Sequence, residues 1–269
     1  MLADYHVHCC VSEDSKTPPE AQLQAALDCG LEAFCFTDHV DLVNDYRVPF
    51  PDRWDWSEIR AVHQEMSARF GDRIDLAMGV ELGEAALDFA KADRYLDDIP
   101  EIDFVIASQH MISSRLGGWG MCVWDFPAEK REIMLSDYFD EVLTIARWGR
   151  YSVLGHLTMP DRYMQKKCHL PPLDVKRYWD QIEAILKCVV ESGRGIECNT
   201  SRGQGPWLPG RDILRRYREL GGEIITLGSD AHTPEFVGAG IREGQELLRE
   251  CGFRYICTFR ELKPIFHKL

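Results

Sequence analysis

Short runs of apolar residues alternate along this chain with longer segments in which apolar residues recur every three or four positions. The short runs predict β-strands, and the longer amphipathic segments predict α-helices. The predicted strands cover residues 2–8, 33–37, 75–81, 103–110, 152–156, 195–199 and 223–229, with a last short run at 255–258. The predicted helices cover residues 19–29, 54–70, 128–148, 173–192 and 210–220, and a further helix closes at 247–252.

The order of these elements indicates the fold class. Strand, helix and strand, repeated about seven times, predict an α/β protein whose parallel strands are joined by right-handed crossovers. An open doubly wound sheet and a closed (β/α) barrel both satisfy this pattern. No G-x-G-x-x-G motif follows the first strand, which argues against a dinucleotide-binding sheet. No linker or repeat marks a boundary, so we expect one domain over residues 1–269.

Charge and cysteine usage narrow the classes of function. Lys and Arg number 31 against 44 Asp and Glu, a formal net charge of −13, which disfavours nucleic acid as a partner. A small anionic substrate remains compatible, because bound metal ions reverse the local field. The chain shows no signal-peptide pattern and no apolar run near the roughly 18 residues of a membrane span. Its 10 cysteines form no C-x-x-C pair, so we expect a soluble cytoplasmic protein with reduced thiols. The sequence leaves the oligomeric state open.

Potential metal ligands follow the predicted strands. Of the 9 histidines, six stand at or just after the carboxyl ends of strands: His6, His8, His39, His110, His156 and His232. Glu81 and Asp230 join them, and in parallel-strand folds these ends meet at one rim. His6 and His8 alternate along a strand, so both imidazoles can reach one metal ion. Glu81 can bridge two ions, and imidazole with carboxylate suits zinc, manganese or iron.

The motifs DYHVH, FTDH, GVELG, SQHM, GHL and GSDAH, in this order, resemble the PHP (polymerase and histidinol phosphatase) superfamily. The resemblance extends from Asp4 to about Gly238 and implies a distorted (β/α)7 barrel with two or three divalent metal ions at the carboxyl ends of the strands. It implies a first metal on His6, His8, Glu81 and Asp230, and a second on Glu81, His110 and His156. It implies a third on His39, His232 and a residue after the H-x-H pair, which is Asp14 with Glu13 as the alternative.

The segments GHLTMPDRY, IECNTS and GSDAHTPEFVG are most similar to the histidinol-phosphatase branch. The resemblance implies metal-dependent hydrolysis of L-histidinol phosphate in histidine biosynthesis, with Glu81, Asp230 and His232 at the catalytic centre. Metal ions would lower the pKa of the attacking water. The alternatives are a PHP phosphoesterase for another small ester, such as a sugar phosphate or nucleotide, and a nonenzymatic metal-binding PHP module.

Cationic side chains are expected to hold the phosphate, because a guanidinium pairs with it in a bidentate manner. Three arginines are candidates: Arg162, Arg202 and Arg115. Arg115 belongs to a long loop at 111–127, rich in Gly and containing Trp119 and Trp124, which we expect to fold over a pocket. In the other long loop, at 40–55, Asp41 and Asp45 could face the cleft or solvent. We expect the remaining histidines, His63, His169 and His267, to lie outside the site.

Overall fold

The computed structural model describes residues 1–44, 47–121 and 125–269. Neighbouring strands of the main sheet are all parallel. The strands are β1 (Ala3–Val7), β2 (Ala33–Phe36), β3 (His39–Asp41), β4 (Asp75–Gly83), β5 (Phe104–Ser108), β6 (Val153–Leu154), β7 (Gly195–Asn199) and β8 (Ile225–Gly228). Their order is β1-β2-β4-β5-β6-β7-β8, and the short β3 pairs with the carboxyl half of β4.

Helices follow most of these strands and bury one face each. They are α1 (Pro19–Asp28), α2 (Ser57–Phe70), α3 (Phe89–Asp97), α4 (Arg131–Trp148), α5 (Met159–Lys166), α6 (Trp179–Glu191), α7 (Arg211–Glu219) and α8 (Ile241–Glu250). In α7, Ile213, Leu214 and Tyr217 are buried while most of the remaining residues are charged. This spacing places the apolar side chains on one stripe, which packs toward the core.

The sheet closes almost completely into a barrel between β1 and β8. The amide of Asp230 donates to the carbonyl of His6 (2.8 Å), and the amide of His8 donates to the carbonyl of Ala231 (2.9 Å). The buried carboxylate of Asp4 adds two bonds across this seam, accepting from the amides of Ser229 (2.9 Å) and Gly238 (2.8 Å). Of the two architectures that the sequence allowed, the molecule therefore adopts the barrel.

A two-stranded antiparallel hairpin, β9 (Tyr255–Arg260) and β10 (Lys263–Lys268), covers one end of the barrel. The Phe259 ring lies 5.0 Å from the Phe104 ring, and the Phe259 amide donates to the Tyr5 hydroxyl (3.2 Å). The Leu262 amide donates to the carbonyl of Asp103, just before β5. The hairpin therefore caps the amino ends of the strands and leaves the carboxyl ends open.

Every predicted strand and helix is present, with ends displaced by a few residues. The segment at 173–192 contains a 3-10 turn (Val175–Tyr178) before α6 begins. Among the strands and α-helices of the described residues, β3, β10, α3 and α5 were not predicted. Asp45 and Trp124, both singled out in the sequence, lie outside the described residues. Within the described ranges, no helix is long and apolar enough to cross a membrane.

Candidate metal centre

The carboxyl ends of the strands surround a cavity of about 360 Å³. All nine predicted metal ligands belong to overlapping groups whose ligand atoms lie within 4.8 Å of one another. Seven of the nine line the cavity, and His6 and His8 lie directly behind it. Each ligand lies in a strand or within a few residues of its end: His6 in β1, His39 in β3, Glu81 in β4, and the others in the loops that follow. Convergence follows from the parallel topology, because every strand delivers its last residues to the same rim.

The predicted first site has His6, His8 and Glu81 in one group of ligand atoms, and Asp230 is grouped with His6 and His156. His6 Nε2 lies 3.1 Å from both His8 Nε2 and Glu81 Oε2. Asp230 Oδ1 lies 4.0 Å from His6 Nε2 and 3.7 Å from His8 Nε2. Tetrahedral zinc with bonds near 2.0–2.1 Å places neighbouring ligand atoms about 3.4 Å apart. The observed separations bracket that value, so the group can close around one ion with small shifts.

The second group uses the other oxygen of Glu81. Glu81 Oε1 lies 2.7 Å from His156 Nε2 and 3.2 Å from His110 Nε2. The two imidazole nitrogens are 3.4 Å apart. The hydroxyl of Ser108 donates to the same Oε1 (2.5 Å) and helps to fix the orientation of the carboxylate. Glu81 thus presents Oε2 to the first group and Oε1 to the second, which is the arrangement of a bridging ligand.

The third group lies nearer to solvent. Asp14 Oδ2 lies 2.8 Å from His232 Nε2 and 3.7 Å from His39 Nε2, and the side chain of Asp14 is 54% exposed. Burial tends to raise the pKa of Asp14, but hydrogen bonds with His232 and His39 outweigh it and hold this pKa below its usual range. Glu13 lines the cavity without joining any ligand group found among the described residues. Between the two predicted alternatives, the geometry favours Asp14.

The hydrogen bonds made by Nδ1 of His6 and of His8 determine which ring nitrogens present a lone pair to a cation in the first group. His6 Nδ1 lies 2.6 Å from Glu197 Oε1, so in the neutral imidazole Nδ1 carries the proton. His8 Nδ1 lies 3.1 Å from the Ser12 hydroxyl, which donates its own hydrogen to Asp38 and therefore accepts from His8. Both Nε2 lone pairs then point into one space, 3.1 Å apart. Such lone pairs repel unless a cation lies between them, so a divalent metal fits the donor set.

The pKa values of His6 and His8 also indicate a site for a cation. Burial tends to lower the pKa of His6, but the charges of Glu197, Glu81 and Asp230 outweigh it and hold the pKa well above its usual value. Burial and the neighbouring imidazoles of His232 and His39 hold the pKa of His8 well below its usual value. A proton on His6 therefore satisfies the two lone pairs when metal is absent, and a metal ion competes with that proton.

The two carboxylates of the group are held in their charged form. Burial tends to raise the pKa of Glu81, but the imidazoles of His6, His39 and His110 outweigh it and hold the pKa well below its usual range. Burial likewise opposes ionisation of Asp230, whose pKa is nevertheless lowered, first by the Arg162 guanidinium and then by nearby imidazoles. Both side chains are therefore ready to bind a cation.

Two of the three candidate arginines reach the cavity. Arg162 lines it but directs its nitrogens to three acceptors: Asp230 Oδ2 (2.5 Å), Asn199 Oδ1 (2.7 Å) and Ser201 Oγ (3.3 Å). Arg202 also lines it, with Nε donating to the carbonyl of Asp230 (2.9 Å) and Nη2 lying 3.0 Å from His232 Nδ1. Nη1 of Arg202 makes no hydrogen bond within the described part of the chain, so this nitrogen is available to a ligand.

Of the described residues in the loop at 111–127, few line the cavity. Arg115 is 72% exposed, pairs with Asp137 (2.6 Å) and does not appear among the described residues that line the cavity. Trp119 is exposed and also lies outside this lining, whereas Met121 belongs to it. The structure thus does not bring Arg115 to the site. It also keeps His63, His169 and His267 out of every ligand group found among the described residues, as expected.

Another part of the lining is aromatic and acidic. Phe50 and Trp54, in the loop after β3, have ring centroids 5.4 Å apart, and Asp41 lies at the end of β3. Helix α3 holds this loop, because Lys91 Nζ donates to the carbonyls of Phe50 (2.6 Å) and Leu42 (3.2 Å). The Tyr95 hydroxyl of the same helix donates to the carbonyl of Pro51. Phe50, Trp54 and Asp41 form one wall of the cavity. The position of this wall therefore depends on α3, a helix that the sequence did not predict.

Several supporting residues were missed by reasoning from the sequence. Glu197 and Asn199 in β7 point into the barrel and contact ligands or their partners, and Asp38 accepts from the Cys9 amide (2.7 Å) and the Ser12 hydroxyl (2.7 Å). A signal was present, because Glu197 and Asn199 are polar residues at alternate positions of an otherwise apolar strand. Alternate strand residues share a face, so the pair pointed toward the barrel interior.

Comparison with known proteins places this chain among phosphatases. The family model described as "PHP domain" matches residues 4–201. The "Probable histidinol-phosphatase" of Deinococcus radiodurans is 31% identical over 97% of this chain and 98% of its own. The histidinol-phosphatase of Lactococcus lactis is 28% identical over 97% of this chain and 95% of its own.

A solved structure shares the fold over nearly the whole length. It is a histidinol phosphate phosphatase from Lactococcus lactis, crystallised with zinc, L-histidinol and phosphate. The TM-score is 0.80, the sequence identity is 26%, and 98% of each chain is covered. The barrel described above therefore shares its fold with a phosphatase that was crystallised with zinc.

Proposed function

The chain belongs to the PHP domain family, and from this premise we propose that it hydrolyses L-histidinol phosphate to L-histidinol and inorganic phosphate. The observation that carries the proposal is the position of Glu81, whose two oxygens face two separate groups of imidazoles at the cavity. Paired-metal centres of this kind suit hydrolysis of phosphate esters. The histidinol-phosphatases that resemble this chain over nearly their full length support the choice of substrate.

In this proposal the centre holds two or three divalent ions, with zinc, manganese and iron all compatible with the donor atoms. The first ion would lie on His6, His8, Glu81 and Asp230, the second on Glu81, His110 and His156, and the third on Asp14, His39 and His232. When bound, the ions lower the pKa of the attacking water and offset negative charge on the phosphoryl oxygens.

Arg202 and Arg162 would have different roles at the cavity. Nη1 of Arg202 can donate to a phosphoryl oxygen, because its other nitrogens already fix the guanidinium against Asp230 and His232. Arg162 lines the same cavity but holds Asp230 Oδ2, so its main contribution is to orient a proposed ligand and to add positive charge. His232 lies between Arg202 and Asp14, and its Nε2 could carry a proton to the departing alkoxide when two ions are bound and the third position is empty.

The aromatic and acidic wall favours a leaving group of the histidinol type. L-Histidinol carries an ammonium group and a flat imidazole ring. A ring of this kind packs against Phe50 and Trp54, and a cation is attracted both to aromatic faces and to carboxylates such as Asp41. A sugar or nucleoside would gain less from the same carboxylate, because neither carries a positive charge.

The test is phosphate release by purified protein supplied with Mn²⁺ or Zn²⁺, beside a sample treated with chelator. The substrates are L-histidinol phosphate, a simple aryl phosphate, a sugar phosphate and a nucleoside monophosphate. We expect chelator-sensitive release with the highest kcat/KM for L-histidinol phosphate. Metal-dependent release from another ester, with none from L-histidinol phosphate, would retain the chemistry and overturn the substrate. Absence of release from all four would favour a nonenzymatic metal-binding module.

A further inference from the structure

Glu197 is a buried carboxylate that lies behind the proposed ligands rather than among them. We propose that Glu197 is a positioning residue of the metal centre, because one oxygen holds the imidazole of His6 and the other holds the backbone of His156. These two histidines face different oxygens of Glu81, so a single side chain would orient both proposed metal positions. The inference rests on the proposed metal centre but does not depend on the identity of the substrate.

The contacts of Glu197 are short and use both oxygens. Oε1 lies 2.6 Å from His6 Nδ1, and Oε2 accepts from the backbone amide of His156 at 2.7 Å. The side chain is only 1% exposed and stands between Ile196 and Cys198 in β7. Burial of a charge is unfavourable unless the charge is fully paired. Because an apolar side chain would suit the surrounding strand better, we attribute the carboxylate at this position to its contacts with His6 and His156.

The contact with His6 selects the nitrogen that can bind metal. Because Glu197 Oε1 accepts a hydrogen from Nδ1, the neutral imidazole has its lone pair on Nε2. Nε2 is the atom that faces His8 Nε2 and Glu81 Oε2, each at 3.1 Å. The other tautomer would place a hydrogen on Nε2 and block coordination. A carboxylate behind a ligating histidine also makes the imidazole a stronger donor.

The space around the contact between His6 and Glu197 is too small to admit a further side chain. A Cβ at Gly228 would lie 2.3 Å from His6 Cβ and 2.4 Å from Glu197 Oε1. Any side chain at the end of β8 would therefore separate the two residues. The glycine at this position is explained by the approach of His6 and Glu197.

Asn199 extends the support to a second ligand of the first group. Its Nδ2 lies 3.2 Å from each oxygen of Glu197, and its Oδ1 accepts from Nη2 of Arg162 at 2.7 Å. Arg162 in turn donates to Asp230 Oδ2. A continuous series of hydrogen bonds thus runs from His6 through Glu197, Asn199 and Arg162 to Asp230, all behind the atoms that would touch the metal.

The test is the zinc affinity of Glu197→Gln, measured on metal-depleted full-length protein by competition with a chromophoric chelator. An amide has one acceptor atom and one donor group, so Gln cannot accept from both His6 Nδ1 and the His156 amide. If its oxygen faces the His156 amide, its NH2 group donates to His6 Nδ1 and leaves the hydrogen on Nε2, the atom that should bind metal. We expect affinity about 10–100-fold weaker than wild type, the usual effect of losing such a partner. The matched control is Glu183→Gln on α6, far from the cavity, whose partly exposed carboxylate pairs with Lys187 and Arg216. This variant should bind zinc as wild type does.

Nitrogen NMR of the zinc-loaded protein gives a second readout that a general loss of packing would not produce. The wild type should show His6 with a hydrogen on Nδ1 and metal on Nε2, and Glu197→Gln should lose or redistribute that pattern. If Glu197→Gln does not fold, Glu197→Asp serves instead, because it keeps the charge but is too short to reach both partners. Wild-type affinity with an unchanged His6 pattern in the folded variant would overturn the inference. Failure to hydrolyse L-histidinol phosphate would overturn the proposed substrate and leave the inference intact.

Discussion

At Glu81, each carboxylate oxygen faces a different set of imidazoles, so its removal should disturb two metal positions at once. For Glu81→Ala we expect kcat/KM to fall by at least about a thousandfold, equivalent to about 4 kcal/mol of transition-state stabilisation. Elemental analysis should show a parallel loss of bound metal, while circular dichroism should show that the barrel remains folded. Metal-dependent turnover at the wild-type rate would contradict the bridging role and point to a contaminating phosphatase.

The two cavity arginines should differ in their kinetic effects. Arg162→Ala removes the guanidinium that pairs with the buried Oδ2 of Asp230, so we expect weaker metal binding together with a kcat lowered by about 10–100-fold. Arg202→Ala removes the donor available to phosphate, so we expect mainly a higher KM. Arg115→Ala, at the surface pair with Asp137, should leave both parameters unchanged. Equal effects of the Arg162 and Arg202 variants in steady-state assays would reject this division.

The sequence predicts which side chains lie close together where this depends only on their spacing along a strand. His6 lies in β1 and His8 directly follows it, and Glu81 and Asp230 lie at or beyond strand ends, so parallel topology is enough to bring them together. The partners of Glu197 could not be predicted in the same way. They depend on how far the side chains of β1 and β7 reach across the barrel, which requires the register and diameter of the closed sheet.

At the scale of elements, α3 positions the wall that would meet the leaving group. Lys91 is buried and its ammonium group donates to two carbonyls of that loop. Lys91→Met fills similar space without these donors, so the loop should loosen. We expect KM for L-histidinol phosphate to rise about tenfold with a smaller change in kcat. KM for a small aryl phosphate, which makes fewer contacts with the wall, should change less.

The control for this variant is Lys187→Met, at an exposed surface pair with Glu183. It should change neither KM nor the melting temperature. If Lys91→Met raised KM for all esters equally, the helix would be supporting the whole cavity rather than this wall.

The missed elements share a physical origin. Helix α3 has only nine residues, of which Ala92, Tyr95 and Leu96 are buried apolar ones, and the N-cap that begins it is Asp88, a common residue in loops. Strand β3 has three residues and forms because β4 continues far enough to pair with it. Such short segments owe their structure to tertiary contacts rather than to local periodicity. The longer helices and the buried strands were predictable because their apolar pattern repeats.

At the scale of the whole molecule, Asp4 closes the seam of the barrel. Asp4→Ala would leave the amides of Ser229 and Gly238 without acceptors, and each unpaired buried group costs about 1–3 kcal/mol. We therefore expect the free energy of unfolding to fall by about 2–6 kcal/mol in denaturant titrations. Asp28→Ala, at an exposed carboxylate of α1, is the matched control and should be nearly neutral. A neutral effect of Asp4→Ala would show that the backbone bonds alone hold the seam.

Metal removal should affect the entire barrel, because the proposed ligands come from strands or strand ends around its circumference. A ligand present at about 100 times its dissociation constant stabilises the folded state by about 2.7 kcal/mol per site. For a chain of this size that corresponds to about 5–10 °C in melting temperature per site. Chelator treatment followed by calorimetry should show this loss, and added Zn²⁺ or Mn²⁺ should restore it. An unchanged melting temperature would argue against tight binding.

The pairing of His232 with Asp14 joins residues 218 positions apart, and the first group likewise draws on both β1 and the loop after β8. During synthesis, the histidines of β1 therefore leave the ribosome long before their partners exist. A chain that ends before β8 already carries Glu81, His110 and His156 of the second site, but it lacks Asp230 of the first site and His232 of the third. These two sites are completed only as the last parallel strand docks, so their occupancy reports completed folding. A chain cut between β7 and β8 should yield fragments that lack both sites, and reassociation of the fragments could be followed by the return of metal binding beyond the second site.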